Sequence, residues 1–333
     1  MSKIKLLGTP VLVLLIVFFS VVIYLFLGVI SKTENPVFGV VFSQKHSRDL
    51  GLNWRSNYLA ILDDLGAKEL KIITHWDLIE LEENQFDFKD IDWQLVEAEK
   101  RGINVILVIG MKTGRWPECH IPDWAKDLGK EKQQEVILRL VQMITTRYKE
   151  SRPVVAWSVE NEPLFTFGDC PWKDKEFLKK EIAMVRSVDS YYKRPIVITD
   201  SGEGSLWIEA AKLGDIVGIT IYKNIWISDL EKYFTYRYPP FFYWIKQEII
   251  EDVFDKEVVC SELQAEPWCP GLLYNCSLDE QMKTMNIDIF KENIDFAKQT
   301  GLDKFYLWGS EWWYWMKEEQ GQVQIWEEAK KLF

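Results

Sequence analysis

Histidine and cysteine are scarce in this chain of 333 residues, which contains three histidines and five cysteines. No H-x-x-x-H or C-x-x-C spacing occurs, so the sequence argues against a metal site. It also lacks a G-x-S-x-G motif, which would mark a serine nucleophile. The segment FSQKHSRDLG, after the first predicted strand, is not a glycine-rich phosphate loop. We therefore expect a protein that works without a cofactor.

Runs of lysine and arginine are absent as well. The chain has 40 basic and 51 acidic residues, a formal net charge of −11. Residues 1–30 carry Lys3 and Lys5 and no acid, so the remainder has 38 basic against 51 acidic residues, or −13. Nucleic acid needs a basic surface to neutralise its phosphates, so an acidic body argues against a nucleic-acid partner.

Tryptophan, in contrast, is abundant: the chain has 16 tryptophans, and 14% of its residues are aromatic. Such an excess can simply fill a core. It can also line a cleft in which aromatic rings stack on the flat apolar faces of sugars.

One long hydrophobic run, VLVLLIVFFSVVIYLFLGVI at residues 11–30, contains no charged residue. A helix over this run would span roughly 30 Å, the thickness of a bilayer's hydrocarbon core. Lys3 and Lys5 precede the run and Lys32 is balanced by Glu34, so the positive-inside rule places the N-terminus in the cytoplasm. No A-x-A-like site follows, and we expect an uncleaved, single-pass signal-anchor in the cell membrane. Secretion after signal cleavage is the alternative.

Beyond this segment, eight strand-like runs alternate with amphipathic helical patterns. Most of the runs are almost continuously apolar, as strands buried on both faces should be. Eight β-α units predict a (β/α)₈ barrel over residues 36–333, with residues 1–35 forming a cytoplasmic stub, the transmembrane helix and a linker. The predicted strands are residues 37–42, 70–74, 104–110, 153–159, 195–199, 215–222, 257–262 and 304–309.

A doubly wound open sheet is the alternative fold, but it usually carries a phosphate loop after its first strand. The segment after the sixth strand is the hardest to interpret. There, YFTYRYPPFFYW suggests an ordered aromatic loop that leads into the helix IKQEIIEDVF.

Acidic residues follow two of the predicted strands. The fourth strand ends in SVENEP, with Glu160 and Glu162, and the seventh leads into SELQAEPW, with Glu262 and Glu266. In a barrel of this kind, active sites lie at the C-terminal ends of the strands. Glycoside hydrolysis with retention needs two carboxyl groups on either side of the scissile bond, one a general acid and base and the other a nucleophile.

These motifs resemble the clan of retaining glycoside hydrolases with (β/α)₈ barrels, which includes cellulases, β-mannanases and β-galactosidases. In that clan an Asn-Glu pair ends the fourth strand and a Glu ends the seventh. The resemblance implies that Glu162 is the acid/base and Glu262 the nucleophile. It further implies that Asn161 binds the sugar 2-hydroxyl, that Tyr222 in ITIYKN hydrogen-bonds the nucleophile, and that Trp308 in YLWGSEWW forms the floor of the subsite.

The segment HWDLIELEENQFDF is also similar to the clan's second-strand region, which makes Trp76 a substrate-binding candidate. Two features depart from the clan. Many members have an Arg near the end of the second strand and a His-x-Tyr on the sixth, where this chain has IITHWD and TIY. His75 and Lys71 are both possible replacements for the Arg.

Several acids compete for the catalytic roles. Glu160 alternates with Glu162 along the strand, so one of them is expected to pair in the core. Glu162 lies beyond the strand end and is the better placed for catalysis. Glu262 directly follows VVCS, whereas Glu266 lies four residues further on and is expected to bind substrate or pair within the loop. Glu203 and Glu311 are expected to bind a subsite hydroxyl or to form structural pairs.

The loop KTGRWPECHIPDW, residues 112–124, is too rich in Arg, Trp, His and Pro for a neutral connector. Arg115, Trp116, Glu118 and His120 are candidates for lining a sugar subsite. A loop locked by its own aromatic packing is an equally good interpretation.

An extracytoplasmic body permits disulfides. Cys269 and Cys276 lie in one loop after the seventh strand, and Cys119 and Cys170 follow the neighbouring third and fourth strands. We expect bonds 119–170 and 269–276, with Cys260 left as a buried free thiol inside a strand.

The sequence thus predicts a membrane-anchored glycoside hydrolase with a monomeric catalytic domain, which acts with retention on β-linked oligo- or polysaccharides. A transglycosylase that builds surface glycans shares every catalytic residue and is one alternative. A non-catalytic carbohydrate-binding barrel is the other, although a binding module needs no such pair of acids.

Overall fold

The computed structural model describes residues 11–17, 19–20 and 33–333. Eight parallel strands close into a barrel in the order β1-β10-β9-β6-β5-β4-β3-β2, which confirms the predicted (β/α)₈ fold. The strands within residues 33–333 are β1 Val37–Phe42, β2 Glu69–Ile73, β3 Asn104–Ile109, β4 Val154–Val159, β5 Ile196–Asp200, β6 Ile216–Ile221, β7 Asn224–Ile227, β8 Lys232–Thr235, β9 Glu257–Gln264 and β10 Lys304–Trp308.

Helices cover the outside of the barrel. Five of them begin at a side chain that accepts a backbone N–H of the first turn, namely Ser43, Asn53, Asp174, Ser277 and Asn286. From residue 33 onward, the α-helices are Gln44–Asp49, Trp54–Ala60, Trp76–Ile79, Lys89–Lys100, Asp123–Lys126, Lys130–Tyr148, Lys175–Val188, Ile208–Leu213, Pro240–Phe254, Leu278–Gln281, Ile287–Lys298, Ser310–Glu318 and Gln324–Ala329.

Side chains alternate between the two faces of each barrel strand. One face packs against the helices in the large outer core, as Leu70 and Ile72 of β2 do. The other face fills the barrel interior with a smaller cluster that includes Val41, Ile73 and Val197. The interior side chains near the C-terminal ends of the strands are more polar than those further in. The barrel interior is therefore apolar toward the N-terminal ends of the strands and polar at its C-terminal mouth.

The segment after β6 differs from its prediction. The expected aromatic loop, residues 233–244, contributes most of β8, which pairs with β7 in an antiparallel hairpin, and the start of helix Pro240–Phe254. The hairpin is stabilised by cross-strand packing of Trp226 on Tyr233, with ring centroids 4.9 Å apart. Pro240 occupies the first helical turn, where proline costs no hydrogen bond, so FFYW is helical and not a loop.

The predicted transmembrane helix falls mostly outside the described residues. Residues 11–17 and 19–20 are helical and exposed. Within the described parts of the chain, none of the helices combines the length and the apolar character that crossing a membrane requires.

The pairing of β9 with β6 contains a shift of one residue that orients the seventh barrel strand. Cys260 pairs with Ile219, but the next pair is Glu262 with Thr220, so Ser261 is an extra residue. Val258 and Cys260 face the outer core, and a regular strand would turn Glu262 the same way. The bulge reverses the alternation and directs Glu262 into the barrel mouth.

Cys119 and Cys170 form a disulfide, with Cα atoms 5.3 Å apart, as predicted. It joins the loop after β3 to the loop after β4. Cys260 is a buried free thiol, also as predicted. The predicted bond between Cys269 and Cys276 is wrong, because both are free. The two thiols are hydrogen-bonded, and burial together with this contact raises the pKa of Cys269, which keeps it in the unreactive protonated form.

We predict that denatured, unreduced protein exposes three alkylatable thiols, namely Cys260, Cys269 and Cys276, and five after reduction. Cys170→Ser should also lower stability by about 2–4 kcal/mol, because the bond closes a long loop. Mass spectrometry after rapid alkylation, and chemical denaturation, would measure the two effects. Labelling of all five thiols without reduction would contradict the 119–170 bond, and labelling of one thiol would show that 269–276 forms after all.

Candidate active site

Glu262 is held at both carboxylate oxygens. Oε1 accepts a hydrogen bond of 2.8 Å from Lys71 Nζ, and Oε2 accepts one of 3.0 Å from the Tyr222 hydroxyl. The side chains of Lys71 and Glu262 are 1% and 4% exposed, so the ion pair is almost dry. Burial and the charge of Glu262 raise the pKa of Tyr222 well above its ordinary value, which keeps its hydroxyl a donor. This arrangement favours an ionised, fixed Glu262.

The segment after β4 places Asn161 and Glu162 opposite this pair. Lys71 Nζ also donates to Asn161 Oδ1 at 3.0 Å, so one ammonium bridges the two strand ends. The Glu162 backbone has a φ of 43°, in the left-handed region that non-glycine residues seldom adopt. Its N–H donates to Thr199 Oγ1 at 2.6 Å, and its Oε1 accepts from Thr220 at 3.3 Å. The strained turn is thus fixed by two strand-end threonines.

Glu162 holds its proton more tightly than an ordinary carboxyl group. Burial raises its pKa well above the usual value, and the neighbouring charges of Glu262 and Glu118 raise it further. Lys112 opposes the shift, but its Nζ donates to the backbone carbonyls of Glu162 and Phe165. Burial and the neighbouring negative charges therefore favour the protonated form of Glu162, beside an acid that two donors hold in place.

Glu160, the alternative to Glu162, has a structural role. Its Oε1 accepts the Met111 N–H at 2.8 Å, and its Oε2 accepts the Lys112 N–H. It is also hydrogen-bonded to Glu181, whose pKa is raised well above the usual value by burial and by the charge of Glu160. The pair therefore shares a proton. Glycine is required at position 110, because a Cβ there would lie 2.4 Å from Glu160 Oε1.

Arg115, Glu266 and Glu311 form a buried ion network beside Trp308. The Arg115 guanidinium lies 4.0 Å from the Trp308 ring centroid, donates to Glu266, and contacts Glu311 at 3.1 Å. Burial raises the pKa of Glu266, but Arg115 and His46 outweigh this and lower it to about 2. Glu266 is thus a paired, ionised loop residue. The guanidinium occupies a face of the indole on which a sugar was expected to stack.

Of the other candidates in the loop after β3, His120 is buried and Trp116 is exposed. His120 is buried, contacts Gly114 O at 2.9 Å and Lys45 at 3.1 Å, and packs edge-on against His75 at 4.5 Å. Burial and Lys45 lower its pKa to about 4, so it is neutral and supports the loop. Trp116 is 56% exposed on the same loop.

Trp76 does not lie where a sugar-binding residue is expected. Its side chain is fully buried, packs edge-on against Trp124, and donates its indole N–H to Glu80 at 2.8 Å. Glu80 in turn pairs with Arg139 at 2.9 Å. This is the environment of a core residue, because both the ring and its polar edge are satisfied within the protein.

Glu203 likewise serves the scaffold. Its Oε1 accepts the Tyr222 N–H at 3.0 Å and the Tyr243 hydroxyl at 2.6 Å. Burial raises its pKa to about 7, against the lowering effect of these donors. Through the Tyr222 backbone, Glu203 fixes the residue that contacts Glu262.

Sequence reasoning left two participants unassigned. The sequence offered Lys71 and His75 as alternatives, and the structure shows that Lys71 is the cation that contacts Glu262. His75 contacts Ser43 instead and is neutral, because burial lowers its pKa. Trp268, two residues after Glu266, packs edge-on against Tyr222 at 5.4 Å and contacts Phe167 at 5.8 Å. Lys71 could have been recognised as a lysine within an otherwise apolar strand. Trp268 could have been recognised because it closely follows the strand-end acid Glu266.

Comparison with known proteins gives no match to a family model and none to a curated sequence. Solved structures do match. A β-galactosidase from Rahnella sp. R3 superposes with a TM-score of 0.60 at 12% identity, over 91% of this chain and 56% of that one. The first β-galactosidases matched are much longer, and this chain spans 52–58% of their length.

Two further structures are nearer to this chain in size. One is a GH5_18 variant from Bifidobacterium longum in complex with Manβ1-4GlcNAc, with a TM-score of 0.61 and 13% identity over 89% and 78% of the two chains. The other is an endo-β-1,4-xylanase of glycoside hydrolase family 10 from Gloeophyllum trabeum, with a TM-score of 0.55 and 18% identity over 85% and 87%. The resemblance to the clan of (β/α)₈ glycoside hydrolases inferred from the motifs is therefore confirmed, at the level of the fold.

Proposed function

We propose that this protein is a retaining glycoside hydrolase in which Glu262 is the nucleophile and Glu162 the general acid and base. The observation that carries the proposal is the difference between the two buried carboxyl groups. Glu262 accepts from an ammonium and a phenol, whereas Glu162 keeps its proton because burial and nearby negative charge raise its pKa. A pair of acids held in opposite protonation states is what a double displacement needs.

In the first step, a Glu262 oxygen attacks C1 of the sugar and the bond from C1 to the leaving oxygen breaks. Glu162 gives its proton to that oxygen, so the aglycone departs as a neutral alcohol. Esterification removes the charge of Glu262, which is one of the causes that raise the pKa of Glu162. Glu162 then becomes the stronger acid and persists as the carboxylate that the second step needs.

In the second step, the Glu162 carboxylate takes a proton from water while the water oxygen attacks C1. The bond between C1 and Glu262 breaks, and both carboxyl groups return to their initial states. Two inversions at C1 give net retention. Lys71 and Tyr222 stabilise the charge that returns to Glu262, because both donate to it in the resting site.

We infer that the substrate is a β-linked oligo- or polysaccharide. Aromatic rings continue outward from the site, from Tyr222 to Trp268 and on to the partly exposed Phe167. Such rings suit the flat faces of further sugar units. The solved structures with the same fold include one that holds Manβ1-4GlcNAc.

Transfer to an acceptor sugar would use the same two residues. It differs from hydrolysis only in the second step, where a sugar hydroxyl takes the place of water. Product analysis with and without an acceptor separates the two activities. A purely carbohydrate-binding role gives no reason to place Glu262 on an ammonium and a phenol beside a second buried acid, Glu162, whose pKa is raised.

We predict opposite rescue patterns for the two acids. Glu262→Ala should abolish turnover of aryl β-glycosides, and azide should partly restore it with an inverted glycosyl azide, because the anion fills the vacated space. Glu162→Ala should retain turnover of substrates with good leaving groups, and azide should give the retained product. Product stereochemistry by NMR is the measurement.

The matched controls are Glu266→Ala, at the paired loop acid, and the exposed Glu131→Gln. Full activity of Glu262→Ala together with loss in Glu266→Ala would move the nucleophile to Glu266. If neither Glu162→Ala nor Glu262→Ala changes the turnover of any substrate, including those with poor leaving groups, the proposed mechanism is refuted.

We predict that Lys71 positions Glu262. Lys71→Met keeps the length of the side chain but removes the charge, so kcat/KM should fall roughly 10- to 100-fold, the effect of losing a charged hydrogen bond. Lys71→Arg should recover part of this activity, because it restores a donor and a charge. Thermal denaturation would show whether the variants stay folded, and a folded Lys71→Met with normal kcat/KM would contradict the assignment.

We also propose that the barrel lies outside the cytoplasm, attached by the apolar run at residues 11–30. The 119–170 disulfide supports this placement, since such bonds persist in oxidising compartments. The full chain is expected in the membrane fraction and the chain from residue 34 in the soluble fraction. Accumulation of a mature form that begins near Lys32 in the medium would point to signal cleavage.

A further inference from the structure

The catalytic centre is closed to solvent in this structure, although the proposed reaction needs a sugar at Glu262. Glu162 and Glu262 are 8% and 3% exposed. Asn161 and Trp308, which the clan resemblance places around the reacting sugar, are 2% and 7% exposed. A sugar ring cannot stack on Trp308 or reach Glu262 through so little open surface. Part of the protein must therefore move before a substrate binds.

The loop after β3 covers the side of Trp308 on which a sugar could stack. A Cβ on Gly114 would lie 3.4 Å from Asn161 Nδ2 and 3.4 Å from Trp308 Cη2, so the loop backbone lies against both residues. The next residue, Arg115, places its guanidinium 4.0 Å from the Trp308 ring centroid. Trp308 otherwise packs in the apolar cluster of the barrel interior. Gly114 and Arg115 thus take the place of a sugar that contacts Asn161 and Trp308.

The base of this loop is fixed, whereas its tip has a flexible joint. Lys112 and Cys119 form an antiparallel bridge, and Cys119 is bonded to Cys170. Residues 113–118, here called the β3 tip, lie between the two bridged positions. Gly114 has a φ of 92°, in the left-handed region that glycine adopts readily. Movement of the loop is thereby restricted to the β3 tip.

Arg115 holds the β3 tip in place through two acids that have other partners. It donates to Glu266 and contacts Glu311 at 3.1 Å. Glu266 also lies 3.4 Å from His46 Nε2. Glu311 also accepts the Ser43 N–H at 2.5 Å. Release of Arg115 therefore leaves neither acid isolated in the protein interior.

The fit of Arg115 in this position is incomplete. Its Nε has no hydrogen-bond partner in the part of the chain that the structure describes. A buried donor without a partner is costly, and the cost is relieved when the side chain moves into water. The closed position is thus stabilised by ion contacts and opposed by this donor, as expected for a contact that has to break.

We propose that the β3 tip is an autoinhibitory lid, in which Arg115 covers the sugar-stacking side of Trp308 and moves away when a substrate binds. The inference rests on the glycosidase function proposed above. Arg115 then competes with the reacting sugar for Trp308. The apparent affinity for substrate is reduced by the fraction of molecules that are closed.

The first test removes the contact that holds the lid. Arg115→Ala should raise kcat/KM about tenfold for each 4-nitrophenyl β-D-glucoside, galactoside or mannoside that wild type hydrolyses, because a charged hydrogen bond that favours the closed form is lost. Arg115→Lys keeps a charge for the two acids and should stay within about threefold of wild type. Arg147→Ala, at an arginine paired with Asp92 on the outer surface, is the matched control and should not change kcat/KM.

A lower kcat/KM in folded Arg115→Ala would show that Arg115 binds the sugar, and an unchanged value would show that it does not gate the site. Either result would overturn the proposal. Thermal denaturation establishes whether the variant is folded. A variant that only loosens the structure has no reason to become a faster enzyme.

The second test needs no variant and decides the question if Arg115→Ala does not fold. Phenylglyoxal modifies accessible guanidinium groups, and peptide mass spectrometry reports Arg115 and the surface residue Arg147 separately in the full chain. The probes are 1-deoxynojirimycin and its galacto- and manno-configured counterparts, with binding measured by calorimetry. At a saturating concentration of a probe that binds, modification of Arg115 should rise about tenfold, because the ligand shifts the population to the open form. Modification of Arg147 should stay constant.

Protection of Arg115 by a bound probe, or an unchanged rate, would overturn the lid, since a sugar that binds beside a fixed Arg115 shields it. Wild type that hydrolyses none of the glycosides and binds none of the probes would instead overturn the proposed function.

Discussion

The buried ion pair between Lys71 and Glu262 is the interaction on which this site depends. Neither charge is stable alone in so dry an environment, because each loses most of its hydration. The ammonium lies between Glu262 and Asn161, so it ties the seventh barrel strand to the end of the fourth. Removing either charge leaves the other uncompensated, and this explains why a lysine occupies the interior of a barrel strand.

Glu162 owes part of its raised pKa to the charge of Glu262. Glu262 stays ionised on its two donors, and its charge adds to burial in holding the proton on Glu162. Glu118 lies within the same field and has its own raised pKa. Of the three carboxyl groups in this buried centre, only Glu262 is contacted directly by Lys71, and the pKa values of the other two are raised. Arg115, Glu266 and Glu311 form an outer ion network beside Trp308.

The sequence was sufficient for the barrel and for the two candidate carboxyl groups, because continuous apolar runs mark buried parallel strands and strand ends mark the site. It could not show the bulge at Ser261. By simple alternation Glu262 shares a face with Val258 and Cys260, and only the register with β6 reveals that it turns inward.

Other features that the sequence did not reveal depend on long-range contacts. Lys71 contacts a residue 191 positions away, which no local pattern indicates. Trp76 matched a motif but lies in the core, because composition alone cannot distinguish a tryptophan that fills a core from one that stacks on a sugar. Glu266, in the loop after β9, and Glu311, in the first turn of helix Ser310–Glu318, both bind Arg115, which follows a different strand.

Trapping of the covalent intermediate tests the central claim most directly. A 2,4-dinitrophenyl 2-deoxy-2-fluoro-β-glycoside reacts quickly in the first step and slowly in the second, so the sugar accumulates on the nucleophile. Peptide mass spectrometry of the inactivated protein should find one fluorosugar on Glu262. A label on Glu266, or turnover of the parent glycoside with inversion and no label at all, would contradict the account.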